Sequence, residues 1–281
     1  MKLGLFGNCQ IEGITRSIQA LAPEAEVFVV PAARLPKLSS KEKLALVEQL
    51  ASCRAVLYQN TERKGVGPLA AEALRARVPV LEFPHIAFRG FHPDCVCLRH
   101  EGQELRGPMG PYHSAICTGA FREGLSPERA RHLFNSYTYA RLGYFSVFRQ
   151  ASKAFEKRAR AVNFRLSQFL RGEPFMHTVN HPNATILHEV ASQALERLGI
   201  PLIRAKVPPD DLAKLGVWPL YPEIAEKLRQ PGTLVFRHRD ETRSLVAFIA
   251  DSYAALAAAT RDYDSPAVEA ARQFIREEVR G

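Results

Sequence analysis

Residues 2–11 read Lys2-Leu3-Gly4-Leu5-Phe6-Gly7-Asn8-Cys9-Gln10-Ile11. The run is apolar as far as Phe6, turns through small and polar residues, and then places Ile11, Ile14, Ile18 and Leu21 on one face of a helix predicted over 10–20. A strand that feeds a helix through so short a turn is the first half of a crossover. The pattern repeats. Strands are predicted at 26–30, 55–58 and 78–83, with a helix capped by Ser39 or Ser40 after the second and another over 68–77 after the third. Such alternation leads to right-handed crossovers and a parallel sheet covered on both faces, a three-layer α/β/α core within about residues 1–125.

The chain has 281 residues, 46% hydrophobic and 24% charged, the composition of a globular protein rather than a disordered one. Its longest apolar stretches, 3–6 and 27–33, fall far short of the roughly 20 residues of a membrane helix, so no transmembrane segment is expected. Asn8, Cys9 and Gln10 also cut the first apolar run short of a signal-peptide core, and a cytoplasmic location is the expectation. Five irregularly spaced cysteines in a chain of this size read as thiols rather than as a disulfide framework.

The 38 Lys and Arg exceed the 29 Asp and Glu by nine. Eight basic residues and the single acid Glu156 fall within 141–171, so most of the excess is one local feature. It suits the phosphates of a small ligand as well as it suits nucleic acid, and no nucleic-acid partner is expected. The same region sets Phe148, Phe155, Val162 and Phe164 among the charges, as an amphipathic helix or pair of helices over 146–170 does.

Between 84 and 124 the periodicity dissolves into Pro, Gly and His, a length of loop that usually lines a site. From Ser126-Pro127-Glu128 onward the chain is mainly helical, with helices predicted near 183–198 and 265–279. A single domain over 1–281 is expected, the part from about 126 being a helical elaboration.

Gly7-Asn8-Cys9-Gln10 stands at the carboxyl end of the first strand, the edge where open parallel sheets bind ligands. A thiol beside a helix N-terminus has its pKa lowered, which makes Cys9 a candidate nucleophile. Its base would come from Phe175-Met176-His177-Thr178-Val179-Asn180-His181-Pro182-Asn183. His181 is preferred because Pro182 can open the following helix and leave the imidazole at its lip, with His177 as the alternative. A Cys–His pair suffices for acyl transfer, the oxyanion being met by the backbone N–H of Cys9 or Gln10 and the amide of Gln59 or Asn60. Arg89 and His92 join the site because their loop should overhang the sheet edge. Cys95-x-Cys97 has metal-compatible residues but no second pair at a standard spacing, and a helix at His113 and Cys117 is limited to a turn by Pro111 and Gly119. No metal is expected.

Three motifs together, Gly7-Asn8-Cys9-Gln10, Phe88-Arg89-Gly90-Phe91-His92-Pro93-Asp94 and Asn180-His181-Pro182, resemble the WcbI-type polysaccharide biosynthesis family of acetyltransferases. The resemblance implies an SGNH/flavodoxin-like core, with Cys9 in place of the serine of SGNH hydrolases, Asn60 near their oxyanion asparagine and His181 near their histidine. Position 178 departs from that pattern, with Thr178 where those enzymes carry an aspartate. It also implies coenzyme A, in the form of an acyl-CoA donor, and a sugar hydroxyl of a capsular or other surface polysaccharide as acceptor, with Asn8 beside the substrate. Arg149, Lys153, Lys157 and Arg158 would then hold the phosphates of the cofactor. An SGNH-like esterase or deacetylase, and a non-enzymatic polyanion-binding module, are the other readings.

Overall fold

The computed structural model describes residues 1–59, 66–260, 263 and 265–278. The opening stretch forms strand β1 (Lys2–Gly7), and the helix after it, α1, spans Ile11–Leu21. β2 (Glu26–Pro31), α2 (Ser40–Ala51), β3 (Ala55–Gln59), α3 (Ala71–Arg75) and β4 (Val80–Phe83) follow in the expected order. The four strands form one parallel sheet in the order β2-β1-β3-β4. The strand order therefore reverses at β1, and the crevice between the carboxyl ends of β1 and β3 is the switch point.

Alternation along the strands sends successive side chains to opposite faces. Phe6 and Tyr58, paired in register, stack at 4.6 Å on the face covered by α2, where Val47 and Leu50 join them. α1 presents Ile11, Ile14 and Ile18 to the sheet and packs against the helix Ala184–Arg197. Gly13 lets the two helices close without displacing the end of Leu187, since a Cβ there would lie 2.6 Å from Leu187 Cδ1. Ser39 begins α2 with a reciprocal capping box to Glu42, which settles the choice between Ser39 and Ser40.

Elsewhere the chain departs from its sequence pattern. The helix over 68–77 is a turn of 3-10 helix at Gly67–Leu69 and then only Ala71–Arg75, because Ala70 between them is extended. The region 84–124 holds the strands Cys95–Cys97 and Tyr112–Ser114, paired antiparallel, and the helix Ala115–Arg122. Strands of three residues leave no readable period. The helix runs straight through Gly119, whose missing side chain lets it approach Ala271, where a Cβ would come within 3.0 Å. His113 is thus on a strand and Cys117 on a helix. The basic region forms one helix, Tyr144–Ala161, followed by a 3-10 turn at Ser167–Leu170. Pro266–Glu278 closes the described chain, and no helix among the described residues is long and apolar enough to cross a membrane.

The structure divides into two compact units with interleaved chain segments. The first, residues 1–86, 155–175 and 182–212, contains the parallel sheet; the second, residues 87–154, 176–181 and 213–281, contains the Cys95–Cys97 and Tyr112–Ser114 strands and most of the later helices.

Candidate functional site

In the first unit, four polar groups close the edge of the sheet. Asn8 N–H donates to Gln59 Oε1 at 3.0 Å, and Gln59 Nε2 donates to Gln10 Oε1 at 2.8 Å. Gln10 Nε2 donates to Ile86 O at 2.7 Å, and Ile86 N–H returns to Gln10 Oε1 at 3.1 Å. Asn8 Oδ1 accepts from Gln10 N–H at 3.0 Å, turning the chain into α1. Gln10 and Gln59 are wholly buried. Their amides are committed to tying the ends of β1 and β3 to the segment after β4, so the oxyanion role expected of Gln59 and of Gln10 N–H gives way to a positioning one. Asn60 lies outside the described residues. Gly7 keeps this turn unstrained, because a Cβ would stand 2.6 Å from Ile11 and 2.8 Å from Gln59 Oε1.

Cys9 crowns this turn, exposed, two residues before the first residue of α1. The other cysteines are all at least partly buried. Burial raises the thiol of Cys95 well above its ordinary pKa and that of Cys97 to about 11, and it raises Cys117 as well. Buried thiols held in the protonated form are poor nucleophiles, which leaves Cys9 as the accessible one.

In the second unit, residues 88–94 hold residues 176–181. Phe88 N–H donates to Val179 O at 2.8 Å, and His92 Nε2 lies 3.1 Å from Met176 O with Nδ1 3.4 Å from Pro219 O. His92 is buried with both nitrogens on backbone carbonyls, and burial pushes its pKa down to about 4. The site role expected of His92 is therefore replaced by a structural one. Asp94, fully buried, accepts from Tyr144 OH at 2.9 Å, Tyr221 OH at 2.7 Å and Ile116 N–H at 2.9 Å. Burial raises its pKa against the pull of these donors. Arg89 is exposed, donates to Pro93 O at 2.9 Å, and lines a cavity of about 420 Å³ with Cys95, Cys97 and Arg99.

His177 N–H donates to His181 O at 2.7 Å, and Trp218 N–H donates to His177 O at 2.7 Å, so the loop is closed on itself and pinned. His181 is 8% exposed. Its Nε2 lies 3.1 Å from Tyr112 OH, and its Nδ1 has no hydrogen-bond partner among the described residues. Burial, aided by the charge of His177, pushes its pKa down to about 4, so the ring is neutral at physiological pH. The helix after it starts at Ala184 with Asn183 as its cap, so Pro182 precedes the helix instead of opening it. Tyr112, Thr178 and Asn180 were not among the expected site residues. Asn180 stood within a quoted motif, whereas Tyr112 had no signal because its partner is 69 positions away.

Arg149, Lys153, Lys157 and Arg158 are exposed on the Tyr144–Ala161 helix, the first three at intervals of four. Arg149, Lys153 and Lys157 have no ion-pair partner among the described residues. Cys9 falls in the first compact unit and His181 in the second.

A search of curated proteins finds no match. A solved structure, described as WcbI, a novel polysaccharide biosynthesis enzyme, as native protein without the disulfide bond between coenzyme A and one of its cysteines, has a similar fold. The TM-score is 0.72 at 15% identity, over 98% of this chain and 94% of that one. The family model of the polysaccharide biosynthesis enzyme WcbI matches residues 2–202, which takes in Cys9, the segment 88–94 and His181, and the chain belongs to that family.

Proposed function

We propose that the protein is an acyltransferase that moves an acyl group, acetyl in the simplest case, from coenzyme A to a sugar hydroxyl during polysaccharide biosynthesis. The observation that carries this reading is the exposed Cys9 on a rigid turn at the switch point of the sheet, in a chain of a polysaccharide biosynthesis family. Coenzyme A fits the residues present, because Arg149, Lys153 and Lys157 are exposed cations with no carboxylate partner among the described residues, suited to phosphate. When bound as an acyl-CoA it supplies the thioester.

Cys9 Sγ, as the thiolate, forms the bond to the acyl carbon, and the departing thiolate takes up a proton. The sugar oxygen then bonds the same carbon while His181 removes its proton. The sulfur–carbon bond breaks, and the Cys9 thiolate is restored. The Asn8, Gln10 and Gln59 network keeps the turn in one conformation during both steps. Incubating the full chain with acetyl-CoA and mapping acetylated peptides tests the reading. A thioester on Cys9, discharged by added sugar acceptor, supports it; full transferase activity in Cys9→Ala removes Cys9 as the nucleophile.

A further inference from the structure

Tyr112, on the strand Tyr112–Ser114, is buried, and its hydroxyl donates to Asn180 Oδ1. The same oxygen of Asn180 accepts from Thr178 Oγ1 at 3.3 Å. A phenol has one proton to give, and here it is spent on Asn180. What Tyr112 turns to His181 Nε2, 3.1 Å away, is therefore a lone pair, and the ring nitrogen facing it must carry hydrogen. A neutral imidazole has one N–H, so Nδ1 is left with its lone pair. The edge-on contact of the two rings, with centroids 5.4 Å apart and planes at 81°, restrains the imidazole from turning over. The opposite tautomer would set two lone pairs against each other and leave a buried N–H without an acceptor. No carboxylate is hydrogen-bonded to His181 among the described residues, so this polar chain does the orienting.

We propose that Tyr112, aligned by Asn180 and Thr178, is the positioning residue that fixes His181 as its Nε2–H tautomer and so makes Nδ1 the proton-accepting atom. Its catalytic meaning rests on the reading of His181 as the base, but the tautomer does not. Long-range proton–nitrogen correlation spectra of the full chain, labelled with nitrogen-15 at its nine histidines, read the tautomer directly, with His181→Gln identifying the signal.

The wild type at pH 7.5 is expected to show Nε2 protonated and Nδ1 bare, and Tyr112→Phe a mixture of both tautomers. Asn180→Ala, which lets the phenol proton turn toward His181, is expected to move the population to Nδ1–H, and it serves if Tyr112→Phe does not fold. An Nδ1–H signal in the wild type, or an unchanged spectrum in the folded variants, overturns the proposal. Tyr112→Phe is also expected to lower kcat about tenfold with KM unchanged, and an unaltered kcat overturns the positioning role. Failure of the acyltransferase reading has a different signature, an unacylated Cys9 beside an intact Nε2–H signal.

Discussion

The turn that carries Cys9 and the loop that carries His181 are built in opposite ways. The first is neutral, made of neighbours in sequence joined to Gln59 and Ile86 at the ends of adjacent strands, and it leaves its thiol in water. The second is buried and gathered from remote pieces, its hydrogen bonds reaching Phe88, His92, Tyr112 and Trp218. In the proposed mechanism the nucleophile has to be reached by its substrate, and a stiff turn at a sheet edge offers Cys9 without covering it. The proposed base has to be unprotonated at working pH, and burial achieves that for His181 by penalising the cation.

That contrast breaks most sharply at the thiol. Cys9→Ala is expected to lower acyl transfer by at least about a thousandfold while leaving the melting temperature unchanged, since the side chain is exposed. Calorimetry beside a thioester-consumption assay measures both. Within the buried region the largest loss of stability belongs to Asp94→Ala, which strands the hydroxyls of Tyr144 and Tyr221 and the N–H of Ile116. About 4 kcal/mol is expected from urea unfolding, and a loss below 1 kcal/mol would show the carboxylate to be dispensable.

The two histidines pushed down to about 4, His92 and His181, give a pH test. Their pKa values are lower in the folded chain than in the unfolded one, so the unfolded state takes up protons first as the pH falls. Stability is then full above about pH 6.5 and declines toward pH 4, by on the order of 3 kcal/mol for each ring. A melting temperature that stays level from pH 7 to pH 4 contradicts this. In the Cys9 turn the matching test is steric. Gly7→Ala is expected to cost about 2 kcal/mol by pressing on Ile11 and Gln59. The smallest effect is expected for Lys153→Ala with Lys157→Ala, about tenfold weaker coenzyme A binding by calorimetric titration, because exposed charges bind through screened fields.

The parallel core was legible because each crossover is local. A strand's alternation, a Ser39 cap and the apolar stripe at Ile11, Ile14 and Ile18 are written within single stretches of ten to twelve residues. The Cys9 turn was legible for the same reason, as its position follows from where β1 stops. The region 84–124 was not, since the strands Cys95–Cys97 and Tyr112–Ser114 are too short to show a period and exist only by pairing with each other. His92 and Gln59 misled for a related reason. A polar side chain near a site announces its chemistry in the sequence, but only its partners decide whether it faces a ligand or satisfies a buried carbonyl or amide.

The sequence by itself thus determined the parallel sheet, the switch point and the cysteine placed there, because these depend on local periodicity and on the order of elements. The tertiary structure alone decided that Gln10 and Gln59 brace the turn, that Asp94 anchors the second unit, and that Tyr112 meets His181 Nε2. Hydrogen bonds between buried groups far apart in the chain have no local signature. They are set by the requirement that every polar atom withdrawn from water find a partner.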